Sequence, residues 1–360
     1  KIQLSHKFED IISLENLCLA WEEFICGKRG KPDVREFACN LMDNIIALRE
    51  DLASKVYQHG NYKERHIWDP KRRLIHIAPV RDRLLHHAIY RILYPFFECT
   101  FIGDSYSCRI DKGVHKAFNR FRVMAYKVSR NHKRTCWVLK CDIKKFFASI
   151  DQDVIFGILK QYIPDQDILW LLGQVIRSFA TVSSRATKGS VAISRDEEIA
   201  ASPSAPRNDS KLGLPLGNLT SQLFSNIYMN ELDRFVKHRL KVRHYIRYAD
   251  DSVFLHHDRE WLEAQIPSVE KFLQERLHLQ LHPNKVTINT FASGVDFLGW
   301  VHFPDHRVLR DAAKRRMMRR LQAHSLYEIL QSYLGLLQHG NTFKMRQKVL
   351  QSYWFWHDLE

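Results

Sequence analysis

The sequence predicts an α+β protein in which helices and strands interleave without the regular alternation of a doubly wound sheet. Three observations support this prediction. Many segments carry apolar residues three and four positions apart, as amphipathic helices do. Several short runs are rich in β-branched and aromatic residues and end at turn-forming residues, as strands do. The 360 residues, 45% of them hydrophobic, can bury a large core in one domain or in two or three smaller ones.

The composition favours a nucleic-acid partner. The formal net charge of +15 points first to nucleic acid and second to an anionic membrane surface. The seven cysteines include no C-x-x-C pair, so neither a disulfide framework nor a cysteine zinc site is indicated. No apolar run reaches the roughly 18 residues of a membrane span, and the N-terminal segment is not a signal peptide. We therefore expect a cytoplasmic protein with reduced thiols and no membrane partner.

The first half of the chain is mostly helical in pattern. Its opening is slightly acidic, with 8 Lys and Arg against 10 Asp and Glu in residues 1–60. Apolar residues at helical spacing predict two or three helices between residues 8 and 58. Residues 72–78 alternate as a strand does, and residues 137–143 form an apolar strand that carries Asp142 at its end. The other periodic segments predict helices at residues 83–97, 113–130, 151–160 and 166–180.

The second half begins with a change of composition. Residues 181–211 contain Ser, Ala, Pro and mixed charges with almost no large apolar groups, and we expect a flexible insertion there. Two apolar runs, 245–248 and 252–255, flank Ala249-Asp250-Asp251 and predict a hairpin with two acids at its turn. Further elements are expected as helices at 218–237 and 260–277, strands near 279–290 and 295–303, and a helical tail from residue 310.

The positive charge is concentrated in two stretches. Residues 101–150 hold 12 Lys and Arg against 3 acids, and residues 301–320 hold 7 against 2. We expect these stretches to form two walls of one groove that binds nucleic acid. Aromatic residues interleaved with the first stretch would stack on bases. The alternative is that both stretches are ordinary solvated helix faces.

Three carboxylates lie beside apolar strands, namely Asp142 and the pair Asp250-Asp251. Burying a carboxylate is costly unless it is paired or binds a metal. These acids would suit Mg²⁺, which prefers hard oxygen ligands, and could hold two ions about 3.5–4 Å apart for an in-line displacement at phosphorus. For Asp250-Asp251 taken alone, the alternative is an ordinary polar turn.

At these residues the chain resembles reverse transcriptases of the bacterial retroelement branch, over about residues 65–305. Tyr248-Ala249-Asp250-Asp251 resembles the Y-x-D-D box, and the stretch from Asp142 to Phe147, D-I-K-K-F-F, resembles the D-I-x-x-F-F motif. The resemblance implies that Asp142, Asp250 and Asp251 are catalytic and bind metal together with the carbonyl of Ile143.

The same resemblance implies contacts with the incoming nucleotide. Arg72 matches the arginine of the fingers that binds the triphosphate, for which a forked guanidinium is well suited. Phe147 matches the aromatic residue that selects deoxynucleotides; taken alone, it fits core packing better. Lys285, in His282-Pro283-Asn284-Lys285, matches a lysine motif and could act near the departing pyrophosphate.

Contacts with template and primer are implied along three segments. Arg109 lies in a segment that resembles a second fingers motif, with a surface salt bridge as its alternative role. Phe297-Leu298-Gly299-Trp300 resembles a turn that grips the primer end, and the basic helix after residue 310 resembles a thumb helix that follows duplex phosphates. The residues expected to contact template or primer are Arg109, Lys112, Lys116, Gly299, Trp300, Lys314, Arg315 and Arg319.

One stretch departs from most of the family. Residues 214–222 read L-P-L-G-N-L-T-S-Q where most members have Q-G-x-x-x-S-P, so Leu216 replaces Gln and Gln222 replaces Pro. This form resembles the enzymes of diversity-generating retroelements and implies that Leu216, Gly217 and Gln222 lie at the nascent base pair. An aliphatic side chain cannot hydrogen-bond that pair, so polar discrimination should weaken. The resemblance implies errors at template adenines; the alternative is a packing variant in an accurate enzyme.

The resemblance implies a right-hand polymerase with a helical N-terminal extension (1–60), fingers and palm (61–308) and a helical thumb (309–360). The implied function is mutagenic retrohoming, in which cDNA is made from a structured template RNA with a primer strand, dNTPs, two Mg²⁺ ions and a small basic accessory protein. The acidic N-terminal helices are a candidate docking surface for that protein. We expect no maturase or DNA-endonuclease segment after residue 360, and this expectation disfavours an intron-mobility protein. Alternatives are a retron-like or phage-defence reverse transcriptase and an inactive RNA-binding scaffold.

Overall fold

The computed structural model describes residues 2–68, 72–186, 211–324 and 326–357. Most of the predicted insertion at 181–211 lies outside these residues, so its flexibility stays a prediction. The chain divides into two units. Unit 1 comprises Lys1–Phe101, Lys144–Leu232 and Phe272–Gln280, and unit 2 comprises Ile102–Ile143, Asp233–Lys271 and Leu281–Glu360.

Helices dominate the described residues, and strands are short. The helices are α1 (Phe8–Ile12), α2 (Leu14–Ile25), α3 (Pro32–Cys39), α4 (Leu41–Ala53), α5 (Val80–Glu98), α6 (Val114–Val128), α7 (Phe146–Ser149), α8 (Gln152–Lys160), α9 (Gln166–Ala186), α10 (Leu219–Arg234), α11 (Arg259–Leu277), α12 (Asp311–Ala323), α13 (Tyr327–Leu337) and α14 (Phe343–His357). The strands are β1 (Lys63–Ile67), β2 (Arg73–Ile77), β3 (Trp137–Cys141), β4 (Tyr245–Tyr248), β5 (Asp251–His256), β6 (Thr287–Thr290), β7 (Val295–Phe297), β8 (Trp300–His302) and β9 (Arg307–Leu309).

Helix boundaries differ from the expected ones where local capping intervenes. The N-terminal segment forms four helices rather than two or three. The Ser13 side chain accepts a hydrogen bond from the Asn16 backbone N–H at the start of α2, and Pro32 occupies the first position of α3. Helix α9 runs to Ala186, so the expectation of an irregular insertion from residue 181 is wrong for 181–186.

Strand boundaries differ for reasons of backbone geometry. The strand expected from residue 279 begins only at Thr287, because Pro283 starts a 3₁₀ turn that ends at Lys285. The strand expected over 295–303 is the β7–β8 hairpin, since Leu298 (φ 53°) and Gly299 (φ 85°) reverse the chain. The pattern does not predict β1, whose residues are all exposed and which is defined by its pairing with β2.

Unit 1 is built around the packing of α2 against α5. Leu17 and Phe24 of α2 and Leu84 and Leu85 of α5 are buried. The buried Asn16 side chain donates to two backbone carbonyls, at 2.9 Å and 3.1 Å, the second of them in α5. The antiparallel strands β1 and β2 form a separate two-stranded ribbon.

Unit 2 contains two antiparallel sheets and a shared core. The first sheet has the strand order β4-β5-β3-β6, and the second has the order β7-β8-β9. Helix α6 packs its apolar face, which includes Phe118 and Phe121, into a core that also holds residues of both sheets and of α12–α14. Asp142, which follows β3, and Asp251, which begins β5, lie at the same end of these two strands.

A histidine buried in this core is expected to make unit 2 sensitive to acid. The His302 side chain is fully buried, and its Nε2 lies 3.2 Å from the Phe297 carbonyl oxygen. Burial first, and the charges of Arg307 and Arg122 after it, lower the pKa of His302 from 6.5 to about 4, although the Phe297 carbonyl opposes them. The neutral form is therefore the one that the fold accommodates.

The contribution of neutral His302 to the free energy of unfolding is complete above the pKa of the unfolded state. It is lost as the pH falls from about 6.5 to about 4. In the wild type, His302 should account for about 3 kcal/mol of the fall in unfolding free energy over that pH range, and His302→Gln should abolish this part of the fall. Urea denaturation at several pH values measures this, with the exposed His306→Gln variant as control. An unchanged pH dependence in His302→Gln would contradict the assignment.

None of the helices in the described ranges is both long enough and apolar enough to cross a membrane.

Candidate active site

The register of the first sheet brings the three predicted catalytic acids together. Cys141 pairs with Ser252 in β3 and β5, and Tyr248 pairs with Asp251 in the β4–β5 hairpin. Asp142, which directly follows β3, therefore lies at the same end of the sheet as the hairpin turn that carries Asp250. The sequence prediction that these strands present their acids together is thus matched by the sheet register.

The pKa shifts of the acids agree with their placement at one end of the sheet. Burial raises the pKa of Asp250 to about 6, and the charges of Asp251 and Asp142 add to the rise. Burial also raises the pKa of Asp251; nearby Lys140 opposes the rise and Asp142 adds to it. Carboxylates whose pKa is raised in this way are held in a site with too little positive charge.

Two lysines compensate part of the negative charge. The Lys285 Nζ donates to the Asp142 Oδ2 at 2.9 Å, and the Lys140 Nζ lies 3.8 Å from the Asp251 Oδ1. The Asp142 carbonyl accepts a hydrogen bond from the His282 backbone N–H at 2.8 Å, which attaches the 3₁₀ turn carrying Lys285 to the end of β3. The prediction that Lys285 belongs to the site is consistent with this geometry.

The donor set fits Mg²⁺ better than a metal that needs a closed protein cage. Among the residues that the structure describes, no three His, Cys, Asp or Glu side chains are grouped so as to hold a metal by themselves. Mg²⁺ is usually bound by one or two carboxylates, with waters and substrate phosphates completing its octahedron. Half-buried carboxylates with raised pKa values provide such an incomplete oxygen set, to which the Ile143 carbonyl is predicted to belong.

A buried ion pair that sequence reasoning missed anchors the turn that carries Asp250. Arg247 donates from Nε and Nη2 to both carboxylate oxygens of Asp233, at 2.8 Å and 2.7 Å, and both side chains are almost completely buried. The Arg247 Nη1 also donates to the Ala249 carbonyl at 2.9 Å. Ala249 has φ 54°, a left-handed conformation that costs a non-glycine residue roughly 1–2 kcal/mol.

The surroundings of this pair keep Arg247 charged. Burial alone would lower the pKa of Arg247, but the charge and hydrogen bonds of Asp233 raise it above its ordinary value. The Tyr245 hydroxyl donates to the same carboxylate at 2.8 Å. An arginine inside the apolar run Tyr245–Tyr248 is the sequence signal that could have indicated a buried partner.

The residues predicted to bind the incoming nucleotide, apart from Lys285, lie in unit 1. Arg72 is exposed and stacks its guanidinium over the Trp68 ring at 5.0 Å. Phe147 and Gln222 are half-buried, and the Phe147 carbonyl accepts from the Leu214 N–H at 2.8 Å. The Leu216 carbonyl accepts from the His76 N–H at 2.9 Å, so its loop is attached to β2, the strand that follows Arg72.

Gly217 is required in this loop for two independent reasons. Its φ is +109°, and a Cβ at this position would lie 2.5 Å from the Ile75 Cγ2 in β2. The Asn218 side chain donates to the His76 carbonyl at 2.9 Å and keeps the loop against the strand. The loop therefore cannot move away from β2 without breaking these hydrogen bonds.

Replacing Gly217 by Ala should destabilise the protein by about 3 kcal/mol, the sum of left-handed strain and overpacking. Gly299→Ala is the matched control, because Gly299 has φ +85° but an open space where a Cβ would lie. It should cost only about 1–2 kcal/mol. Urea denaturation gives both values. In an Ile75→Ala background the cost of Gly217→Ala should fall; equal costs with and without Ile75 would contradict the steric argument.

The residues predicted to contact template and primer have mixed surroundings. The Arg109 Nη1 donates to the Ile102 and Ser105 carbonyls and to the Ser105 hydroxyl, and the Lys112 Nζ donates to the Gly103 carbonyl, so both support their own loop. Lys116 is exposed on α6. These geometries leave the predicted nucleic-acid contacts untested and show that Arg109 and Lys112 have local structural roles.

The prediction that the Trp300 side chain contacts the primer is wrong. Trp300 is 1% exposed and belongs to the unit 2 core, with the Arg307 guanidinium 5.8 Å from its ring. A contact with the primer at this turn would have to come from backbone groups at the adjacent Gly299. The sequence motif correctly indicates a turn here but not the direction of its largest side chain.

The basic residues of α12 line a groove with α14. The groove has a volume of about 760 Å³ and is lined by Lys314, Arg315 and Arg319 of α12, Met345 and Lys348 of α14, and apolar groups of both helices. Lys314 is partly occupied by a hydrogen bond to the Asp311 carboxylate at 2.9 Å. The expected contacts of these α12 residues with nucleic acid stay a prediction that this positively charged groove favours.

Comparison with known proteins gives the family. Residues 63–302 match the family model described as reverse transcriptase (RNA-dependent DNA polymerase). Protein YkfC of Escherichia coli K12 is 25% identical over 311 residues, which cover 76% of this chain and 73% of YkfC. Group II intron-encoded protein LtrA of Lactococcus lactis subsp. cremoris is 22% identical over 311 residues, which cover 68% of this chain and 46% of LtrA.

A third relative matches this chain over a shorter region. Nuclear intron maturase 1, mitochondrial, of Arabidopsis thaliana is 24% identical over 205 residues, 48% of this chain and 28% of that protein. The chain thus spans less than half the length of LtrA and of the maturase. The family match covers more than half of this chain and includes all three acids. The chain belongs to the reverse transcriptase family, whose members are RNA-dependent DNA polymerases.

Proposed function

We propose that this protein copies an RNA template into DNA and that Asp142, Asp250 and Asp251 carry the reaction. The observation that supports this most directly is the group of three acids at one end of the sheet, with the pKa values of Asp250 and Asp251 raised, in a chain of this family. Two Mg²⁺ ions held by these acids and the Ile143 carbonyl would activate the primer hydroxyl and neutralise the charge that develops on the phosphates.

The chain's own residues have distinct parts in this proposal. The primer 3′-oxygen forms a bond to the α-phosphorus of the incoming nucleotide while the bond to pyrophosphate breaks. Lys285, held at Asp142, places a positive charge beside the departing pyrophosphate. Arg72 binds the triphosphate, and Phe147 packs against the sugar and excludes a ribose hydroxyl. Arg247 and Asp233 keep the Ala249 turn in the geometry that presents Asp250.

The proposed architecture is a right hand. Residues 61–308 would form fingers and palm, 309–360 a thumb, and 1–60 a helical extension. Unit 2 supports the palm assignment, because it contains the four-stranded sheet with the acids. The basic groove of α12 and α14 supports a thumb that follows duplex phosphates.

We further propose that the enzyme belongs to a diversity-generating retroelement and performs mutagenic retrohoming. The support is Leu216 and Gln222 in the L-G-N-x-x-S-Q stretch. The partners in this proposal are a structured template RNA, a primer strand, dNTPs and a small basic accessory protein, for which the slightly acidic N-terminal segment is the candidate surface. Its errors would be concentrated at template adenines.

Replacing Leu216 by Gln should raise fidelity, because an amide can hydrogen-bond at the nascent pair and reject near-misses more strongly. We expect misincorporation opposite template adenine to fall by about tenfold or more, with little change opposite other bases. Sequencing of cDNA made from a template with adenine-rich and adenine-free stretches measures this, with Leu216→Met as the control that keeps an apolar side chain. Equal wild-type error rates at all four template bases would contradict the adenine proposal.

A second candidate is an intron-type reverse transcriptase, favoured by the names of LtrA and the Arabidopsis maturase. A retron-like or phage-defence enzyme is a further alternative. The flanking DNA discriminates among them. Two nearly identical repeats that differ at template adenines support the retroelement proposal, whereas a group II intron around the gene supports the intron candidate.

A further inference from the structure

Residues 112–141 form a basic segment, part of which lies at a distance from Asp142, Asp250 and Asp251. Between Asp111 and Asp142 there is no acidic residue. The cations of this segment are Lys112, Lys116, Arg120, Arg122, Lys127, Arg130, Lys133, Arg134 and Lys140. Several are engaged locally; Arg120, for example, donates to the Asp104 carboxylate at 2.8 Å.

The end of this segment forms a pocket in unit 2. Helix α6 ends at Val128, and the following loop has three successive residues with left-handed backbones, Arg130, Asn131 and His132, at φ 48°, 59° and 63°. This loop and the turn after β6 enclose a cavity of about 380 Å³. Its lining includes Ser129, His132, Lys133, Arg134, Thr290 and Pro304.

The pocket lies at the end of the catalytic sheet opposite to the acids. Its wall reaches Cys136, next to the first residue of β3, whereas Asp142 follows the last residue of that strand. The five residues of β3 separate the two sites by about 17 Å. Residues 129–136 of the basic stretch 101–150 therefore lie at the end of the sheet opposite to the acids.

The charges around this pocket are mostly positive. The Arg134 Nε donates to the Val128 carbonyl at 2.7 Å, which fixes the guanidinium at the wall. Arg130 and Lys133 are exposed, and within the described residues their side chains make no hydrogen bond or ion pair. Desolvation, followed by the charges of His256, Arg134 and Arg130, lowers the pKa of nearby His257 although Asp258 opposes this. Asp305, which follows Pro304 in the sequence, is exposed.

We propose that this pocket binds a nucleotide of single-stranded RNA outside the active site, with its phosphate at Lys133 and Arg134. The Thr290 hydroxyl accepts from the Ser293 N–H and can still donate to a ligand, and Pro304 supplies an apolar surface. The buried Ser129 hydroxyl is already engaged with Tyr126 and His132. A cavity of this size admits one nucleotide but not a duplex. The site would anchor RNA beyond the copied hybrid, and it does not depend on the retroelement proposal.

RNA binding by a charge-reduced variant tests the site. The variant Lys133→Gln/Arg134→Gln removes the two pocket cations assigned to the phosphate, and Arg35→Gln/Arg49→Gln, on the N-terminal helices, removes two cations elsewhere. Fluorescence anisotropy with a labelled unstructured RNA, without primer, gives the dissociation constant at several salt concentrations. In the pocket variant we expect affinity about tenfold lower and a log–log salt slope smaller by about 0.7, since one phosphate contact to a single strand contributes about 0.7.

Three outcomes would overturn the proposal. One is a wild-type affinity and salt slope in the pocket variant. Another is an equal loss in the N-terminal control, which would indicate net charge alone. The last is binding of AMP or inorganic phosphate at the pocket as tightly as RNA, measured by calorimetry, which would indicate a free-nucleotide site. In the pocket variant, primer extension on a short hybrid that does not reach the pocket should equal that of the wild type. This measurement distinguishes a failure of the pocket proposal from a failure of the polymerase assignment.

Discussion

Replacing Asp250 by Asn should reduce primer extension by about a thousandfold or more while leaving the fold intact. In the proposed reaction the carboxylate would supply several kcal/mol of transition-state stabilisation through the metal that it would hold, and each 1.4 kcal/mol is a factor of ten in rate. Burial and the neighbouring acids raise the pKa of Asp250 to about 6. Without metal, its negative charge therefore destabilises the folded state. The thermal midpoint of Asp250→Asn in a chelator should therefore equal or exceed that of the wild type.

The control for this experiment is Asp305→Asn, which changes an exposed acid of the same unit. Both variants should bind a primer–template hybrid as tightly as the wild type, and the upward shift of the thermal midpoint with added Mg²⁺ should be lost only in Asp250→Asn. Synthesis by Asp250→Asn at the wild-type rate would remove the catalytic assignment. A retained Mg²⁺ shift with lost activity would instead remove Asp250 from the metal site.

The three acids could be predicted from sequence because each lies at the end of an apolar run. Strand pairing is dictated by such runs, and a carboxylate next to them has few explanations other than a metal or a partner. Asp142 and Asp250 are 108 positions apart, yet the antiparallel pairing of β3 with β5 is enough to bring them to one end of the sheet. The prediction needed no knowledge of the helices between them.

The directions of individual side chains could not be predicted in the same way. Trp300 lies in a motif that indicates a turn, but Gly340, far along the chain, leaves the space that its ring fills, and a Cβ there would collide with it. The hydrogen bond between Leu216 and His76 depends on β2, which the motif does not contain. Such features depend on contacts between distant segments, and a local pattern carries no information about them.

The buried pair of Arg247 and Asp233 is expected to have the largest effect on stability. Replacing Arg247 by Met would leave the Asp233 carboxylate buried without its counter-charge, which costs about 3–5 kcal/mol. The unfolding free energy from urea denaturation should fall by that amount. Arg247→Lys should fall less far, because an ammonium retains the charge but cannot donate to both carboxylate oxygens and to the Ala249 carbonyl at once.

A double variant separates stability from positioning. In Arg247→Met/Asp233→Leu both charges are replaced by apolar groups, so most of the lost stability should return. The Tyr245 hydroxyl keeps a partner in Ser252, 3.4 Å away.

The hydrogen bond to the Ala249 carbonyl, however, is still missing in the double variant, and the strained turn that carries Asp250 is no longer held. We therefore expect kcat to remain about ten- to a hundredfold below wild type with KM for dNTP little changed, since a small displacement of a catalytic group has effects of this size. If kcat returned together with stability, the pair would serve the fold alone, and the geometry of the Asp250 turn would have to be maintained by the hairpin itself.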